Sequence, residues 1–570
     1  MRILFLTHSF NSLTQRLFVA LREQGHDVSV EFDINDSVSL EAVELHNPEL
    51  IVAPFLKRAI PASIWRNHVC LIVHPGIVGD RGPSSLDWAI LNEEPNWGLT
   101  VLQANAEMDA GDIWASATFP MRDATKASLY RGEVADAAVR AVTEAVDRFA
   151  GGDYTPIPLH DAQPYSRGCE RPLVTQSDRC IDWQLDSTAT VIRKIRSADG
   201  FPGVADNSFG RRLFLYDARE AATLRGVPGT IVATSGPAVG IATTDGGVWI
   251  GHMKDPQSAH PFKLPATRVL EDLCIGLPDV ADSASGDWRD LWYDEQGDVG
   301  YLHFPFYNGA MGSAQCEALL DAYRTAADAG TRVIVLAGGP EFWSNGMDLN
   351  QIEAADSAAD ESWRNINAID DLAAEIINTT SHLTVAALRG NAGAGGVFLA
   401  RAADRVWAHG GVTLNPHYKD MGNLYGSEYW TYLLPRSCGE AKAHEVTQAR
   451  LPIGVSEARN LGLVDDVLGE NRREFDAAFP DAAAALAATP DFASLLTSKQ
   501  ERRAADEQAR PLADYRRAEL ERMRLNFYGF DPSYHVARYN FVYKVPKSRT
   551  PLTIATHRRQ SADNRMRDVS

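Results

Sequence analysis

The chain holds 570 residues, a length that suggests three or four domains, and 45% of them are hydrophobic, enough to fill several cores. The 55 Lys and Arg against 75 Asp and Glu leave a net charge of −20, which argues against a general role on nucleic acid or on an anionic membrane. No apolar run approaches the ~20 residues that span a bilayer, and the opening MRILFLTHSF is too short for a secretory core. Six scattered cysteines form no CxxC pair. The expectation is a cytoplasmic protein with reduced thiols, no bound metal, no nucleic-acid partner and no membrane.

Residues 1–160 alternate strand and helix: RILFLT, a helix over LTQRLFVALREQG, DVSVEF, a second helix, LIVAPF, CLIVH and GLTVLQA. This βαβ rhythm predicts a mostly parallel sheet. Residues 151–177 are rich in Gly, Pro and polar side chains and read as a linker. A smaller strand-rich module follows over 178–275, then a second linker, DVADSASGD. Alternation resumes over 289–470 with VGYLHF, a helix over 312–329, TRVIVLAGG, a long helix around 361–380 and LTVAAL. Residues 471–570 read as helical and highly charged, ending in YHVARYNFVYKVP and a basic tail. The fold class is a multidomain α/β protein.

His74 ends the strand CLIVH and enters a loop rich in Gly and Pro, HPGIVGDRG. Ligands of open parallel sheets sit beyond such strand ends. Asp109 lies 35 residues on, in EMDAGDI, a separation ample for a crossover that returns it to His74. A histidine beside a carboxylate suits acyl or formyl transfer. Spacing alone leaves open the alternative of a packed histidine and a capping aspartate.

The same stretch resembles the folate-dependent formyltransferases, which carry Asn-x-His-Pro, a Gly-containing loop ending in Arg-Gly, and a Met-Asp or Leu-Asp turn. His74, the loop to Gly82 and Asp109 match, whereas the Asn position holds Ile72. In that family the Asn helps hold the formyl oxygen, and loss of such a donor costs roughly 3–4 kcal/mol. The order of Ile181-Asp182-Trp183, Arg196 and Pro202-Gly203 resembles the family's C-terminal domain.

Two Gly-rich turns, in GGPEFWSNGMDLNQI (338–352) and RGNAGAGGVFLARAADRVWA (389–408), follow apolar strands and precede helices. Their backbone N–H groups are free donors, and two facing one point form an oxyanion hole; tight turns that need Gly for positive φ are the other reading. WSNGMDL and GNAGAGG resemble the enoyl-CoA hydratase/isomerase (crotonase) family, as do HFPFYNGAM and ARNLGLVDDVL. The resemblance makes the N–H groups of Met347 and Gly395 the oxyanion donors. The two hydratase Glu positions hold Phe398 and, counted without gaps, Tyr418. Ordinary enoyl-CoA hydration is therefore not expected. Tyr418 and Glu428, the latter in NLYGSEYW, remain as groups that orient a small acyl group or move one proton, or as a packing residue and a surface charge.

A formyltransferase-like half joined to a crotonase-like half resembles the HypX (HoxX) family of nickel–iron hydrogenase maturation proteins over nearly the whole chain. The parts are then a Rossmann-like formyltransferase domain (1–160), a small β-rich formyltransferase C-terminal-like module (178–275), a crotonase-like domain (289–470) and a helical, charged region completing the crotonase half (471–570). The resemblance implies transfer of formyl from 10-formyltetrahydrofolate to coenzyme A, then decarbonylation of formyl-CoA to CO and coenzyme A, the CO becoming a ligand of the hydrogenase iron. Partners are small-molecule substrates and hydrogenase maturation proteins. Gln15, Arg131, Ser197, Asn308 and Lys544 are candidate coenzyme A contacts, though lone polar and basic residues usually face solvent. Two rival functions remain: a bifunctional formyltransferase and acyl-CoA enzyme, and a folate- and coenzyme A-binding scaffold.

Overall fold

The computed structural model describes residues 1–162, 167–280 and 288–559. The chain forms two units. One comprises Met1–Trp288 with Pro546–Ser570, the other Arg289–Val545.

The first unit begins with β1 (Arg2–Thr7), β2 (Asp27–Phe32), β3 (Leu50–Ala53), β4 (Cys70–His74), β5 (Asn96–Gln103) and β6 (Ile113–Pro120), in the sheet order β2-β1-β3-β4-β5-β6. Helix Ser12–Glu23 starts where the Asn11 side chain accepts from the Thr14 N–H, and helix Asp36–His46 where Asn35 accepts from Val38. β1 to β4 are mutually parallel, as the alternation predicts. β5 departs from the expectation: it runs antiparallel to both β4 and β6. The helix between β4 and β5, Ser85–Leu91, has seven residues, about 10 Å of rise. A crossover must return along a strand of about 16 Å, so the chain re-enters the sheet at the end where it left. His74 and Asp109 thus meet without a crossover.

The module that follows is an antiparallel sheet in the order Val204–Asp206, Leu213–Glu220, Gly247–Lys254, Ala238–Ala242, Ile231–Ser235, with Leu264–Pro265 beside the third. Helix Thr188–Ala198, capped by Ser187, buries Val191, Ile192 and Ile195 against it.

The expected linker 151–177 is in part structural. Arg81 and Glu170 form a β-bridge, Val174 N–H donates to Ser84, and Trp88 donates to the Pro172 carbonyl. Residues 163–166, and 281–287 of the second expected linker, lie outside the described residues.

The second unit has a six-stranded sheet, Trp292–Gln296, Val299–Phe304, Val333–Gly338, Leu383–Leu388, Arg405–Ala408 and Asp466–Val467, parallel from the second strand onward. A smaller sheet joins Phe342–Ser344, Asn391–Gly393, Thr413–Asn415 and Ile453–Gly454. Helices Ser313–Ala327 and Ala358–Asn378 pack over these, and the large core reaches helix Leu512–Tyr528 through Met523 and Phe527.

The region 471–570 does not stay together as expected. Residues to Val545 belong to the second unit, but the following segment returns to the first. It covers the free edge of β2: Val30 N–H donates to the Ile554 carbonyl and Phe32 N–H to Thr550. Beneath it lies the fully buried Glu31, 3.0 Å from His557 Nε2 and accepting from Arg558 Nε at 2.6 Å. His557 Nδ1 lies 2.6 Å from Ser29 Oγ.

Candidate active sites

His74 is 4% exposed and stands between two carboxylates. Its Nδ1 is 3.6 Å from Asp109 Oδ2, and its Nε2 is 3.0 Å from Asp80 Oδ2. Asp109 also accepts from the Gly82 N–H at 3.3 Å, and its φ of 53° turns the loop back toward β4. Asp80 is 2% exposed, and its second oxygen accepts from Arg171 Nη1 at 3.2 Å. The loop after His74 is therefore held from both sides. A Cβ on Gly76 would overlap His74 and Asp80, and one on Gly168 would overlap the backbone of Gly79 and Asp80. Sequence reasoning missed Asp80 and Arg171. Asp80 sits in the motif itself, immediately before the Arg-Gly pair, whereas Arg171 comes from the segment read as a linker. Ile72 shares a strand face with His74 and packs among apolar side chains, so it offers no amide in place of the missing Asn.

In the second unit the two Gly-rich turns approach one another. A Cβ on Gly346 would lie 3.5 Å from the Gly395 nitrogen. Met311 N–H donates to the Gly346 carbonyl and Asp348 N–H to the Met311 carbonyl, so the Met347 N–H takes no part in that bridge. Gly395 opens helix Gly395–Arg401, and its N–H has no acceptor one turn back. The preceding Ala394 has φ 48°.

Glu428 faces this point: a Cβ on Gly395 would overlap the Glu428 carboxyl. Tyr418 donates to Glu428 Oε2 at 2.6 Å and lies 2.9 Å from the Ser427 carbonyl. Ser427 N–H also donates to Oε2, at 3.2 Å, which leaves Oε1 toward the Gly395 turn. Phe398 is fully buried and stacks on the Tyr418 ring at 5.5 Å. The indole Nε1 of Trp430, buried beside Phe398, has no acceptor among the described residues. Such an orphaned donor, the two turn amides and the apolar wall fit a thioester-bearing ligand. Glu428 and Tyr429 both hold left-handed backbone, φ 57° and 59°, at about 1–2 kcal/mol each. Burial, then the charge of Asp370, pushes the Glu428 carboxyl up to about 8, and burial raises the Tyr418 phenol well above its usual value.

Of the candidate coenzyme A contacts, Gln15 and Arg131 lie in neighbouring elements of the first unit. Asn11, which caps helix Ser12–Glu23, donates to Tyr130 at 3.5 Å, next to the turn Tyr130–Val134. Gln15 Nε2 donates to the Phe10 carbonyl. Ser197 does not suit the expectation: it is fully buried and gives its hydroxyl to the Lys194 carbonyl, as a helix-core residue does. Asn308 and Lys544 are exposed in the second unit; the Lys544 ammonium lies 4.1 Å from the Phe541 ring. Among the described residues no cluster of His, Cys, Asp or Glu could hold a metal ion, and no helix is long and apolar enough to cross a membrane.

Fold and sites together define a formyltransferase joined to a crotonase-type domain. Residues 34–146 match the formyl transferase family, 173–262 the formyl transferase C-terminal domain, and 301–523 the enoyl-CoA hydratase/isomerase family. The chain is 58% identical over 567 residues, 99% of both chains, to hydrogenase maturation factor HoxX of Bradyrhizobium diazoefficiens. It is 46% identical, with a TM-score of 0.94, to HypX from Aquifex aeolicus solved in complex with tetrahydrofolic acid, over 98% of this chain and 99% of that one. A methionyl-tRNA formyltransferase of Trichlorobacter lovleyi matches 40% of this chain and 71% of its own length at 26% identity. The chain belongs to the HoxX/HypX family of hydrogenase maturation factors.

Proposed function

We infer that the chain makes carbon monoxide in two steps: formyl transfer from 10-formyltetrahydrofolate to coenzyme A, then decarbonylation of formyl-CoA to CO and coenzyme A, for delivery to a hydrogenase iron. The folate substrate supplies the formyl group and coenzyme A the thiol. In the first site His74 takes the thiol proton, and Asp80 and Asp109 hold the ring and meet the charge that arises on it. In the second, the Met347 and Gly395 amides hold the thioester oxygen.

The observation that carries the second step is the buried Glu428 carboxyl at the Gly395 turn. Formyl-CoA has no α-carbon, so a hydratase's paired carboxylates have nothing to act on, and Phe398 and Tyr418 can stand in their places. What the reaction needs is a group that gives a proton to the departing sulfur and recovers one from the formyl carbon. A neutral carboxyl does both. Glu428 protonates sulfur as the C–S bond breaks. The C–H electron pair becomes the carbon lone pair of CO, and the formyl proton returns to Glu428. Tyr418, hydrogen-bonded to Oε2, fixes which oxygen faces the thioester. Phe398 excludes water that would divert formyl-CoA to formate.

Purified protein, 10-formyltetrahydrofolate and coenzyme A, with deoxyhaemoglobin as the CO trap, test this reading. CO that requires both substrates is the expected result. Neither CO nor tetrahydrofolate, with both ligands bound, would overturn it in favour of a scaffold.

A further inference from the structure

Three carboxyl side chains from three elements meet behind the second site, all at 0–1% exposure: Asp370 on helix Ala358–Asn378, Glu428 in its loop and Glu519 on helix Leu512–Tyr528. The Ser427 hydroxyl lies at their centre, 2.8 Å from Asp370 Oδ2 and 3.2 Å from Glu519 Oε2. Asp370 Oδ1 accepts the Glu428 N–H at 2.8 Å. Glu519 accepts the N–H groups of Tyr429 at 3.0 Å and Thr431 at 2.8 Å, with the Thr431 hydroxyl on the same oxygen. The backbone from 428 to 431 is thus gripped by two carboxyls. Among the described residues, the ion pair recorded at this cluster is Arg516 Nε to Asp370 Oδ2, at 3.8 Å.

We propose that Asp370 and Glu519 are positioning residues of the second site: both hold the strained Glu428 segment by its backbone, and the negative charge of Asp370 keeps a proton on Glu428. The proposal rests on the reading of Glu428 as the group that protonates sulfur. Three buried carboxyls beside one guanidinium cannot all ionise. Asp370, next to Arg516, is the one placed to carry the charge. Burial raises it to about 6, with Ser427 and Arg516 opposing, whereas burial and the charge of Asp370 raise Glu519 and Glu428 to about 8. The other groups facing Glu428 are the Tyr418 phenol, which lowers it by hydrogen bonding, and the buried Cys316 thiol, itself raised by burial and then by Glu428. Protons in such a cluster are shared, so the residues titrate as a set.

The test uses the full chain and synthetic formyl-CoA, with CO release followed from pH 6 to 10. Asp370→Asn removes the neighbouring charge, and Glu519→Gln removes a carboxyl that ionises only in the same range as Glu428. In Asp370→Asn the alkaline limb of kcat should move down by about one pH unit, leaving the rate at pH 8 about fivefold below wild type with KM little changed, and in Glu519→Gln it should move down by less. Tetrahydrofolate release in the first step should be unaffected. Folded variants whose limb stays in place, whatever their rate, would overturn the proposal. Wild-type protein that releases no CO from formyl-CoA would instead overturn the reading of the reaction. A second measurement needs neither turnover nor the two variants. The infrared C=O stretch of a protonated carboxyl at pH 7 should be present in wild type and reduced in Glu428→Gln. No such difference would overturn the proposal by itself.

Discussion

The Tyr418 hydroxyl donates to Glu428 over 2.6 Å, and both side chains are buried beside the Gly395 turn. The bond ties a residue on the apolar wall to the carboxyl that the proposed reaction uses as its acid. Glu428→Gln should lower CO release from formyl-CoA by about 10²-fold or more. Tyr418→Phe should lower it by about tenfold, the worth of one hydrogen bond. Both variants should still release tetrahydrofolate when given the folate substrate and coenzyme A.

The first site predicts the reverse pattern. His74→Ala should reduce tetrahydrofolate release by about 10²-fold or more. Asp80→Asn keeps the shape but removes a carboxylate from Nε2, and a smaller loss of about tenfold is expected. In each variant, CO release from supplied formyl-CoA should match wild type.

The carboxyl cluster sets a pH dependence of stability in the second unit. Glu428 and Glu519, raised to about 8, hold protons that the unfolded chain gives up above its ordinary carboxyl range. Their contribution is present below about pH 4.5 and is lost as pH rises to about 8, at about 1.4 kcal/mol per unit of displacement. Asp370, raised to about 6, adds the same trend over a narrower window. Thermal melting should show the second transition weakening across this range, and less so in Glu519→Gln. An unchanged slope would count against the burial of this proton.

Phe398 occupies one of the hydratase Glu positions, fully buried and stacked on Tyr418. Phe398→Glu should not restore hydration of enoyl-CoA. It would place an unpaired acid in an apolar wall, destabilising the unit by several kcal/mol, visible as a lowered Tm.

The tail on β2 offers a test of the first unit. Burial raises the Glu31 carboxyl, but the bonds from His557, Thr550 and Arg558 outweigh it and hold the carboxyl below its usual range. That stability is present above the ordinary carboxyl range and is lost as pH falls through the folded value. His557→Ala should cost about 1–3 kcal/mol by leaving buried acceptors unmet, read as earlier proteolysis near residue 550.

Much of the two sites was legible because the residues read as facing substrate sit in short motifs at strand ends. His74 and Asp109, and the Gly346 and Gly395 turns, lie where the motifs place them. What was not legible comes from elsewhere in the chain. Glu519 stands among Arg and Glu in LADYRRAELERMRLNFY, a helix that reads as solvated, yet it is fully buried. Asp370 belongs to an Asp-Asp pair whose second member, Asp371, is half exposed and bonds Arg516. Local pattern cannot tell which of two adjacent acids turns inward. The antiparallel β5 and the structural stretch around Arg171 depend on length and on long-range pairing, neither of which a composition profile records.

The segment from Thr550 to Arg558 completes the wall of a sheet whose first strand is Arg2–Thr7. During synthesis the formyltransferase half emerges first but lacks this piece until the second half has been translated. A ribosome that stalls midway, or a message cut short, leaves the first half with an uncovered edge and Ser29 and Glu31 without His557 and Arg558 as partners. The formyltransferase unit is in this way finished only after the crotonase-type unit exists on the same chain.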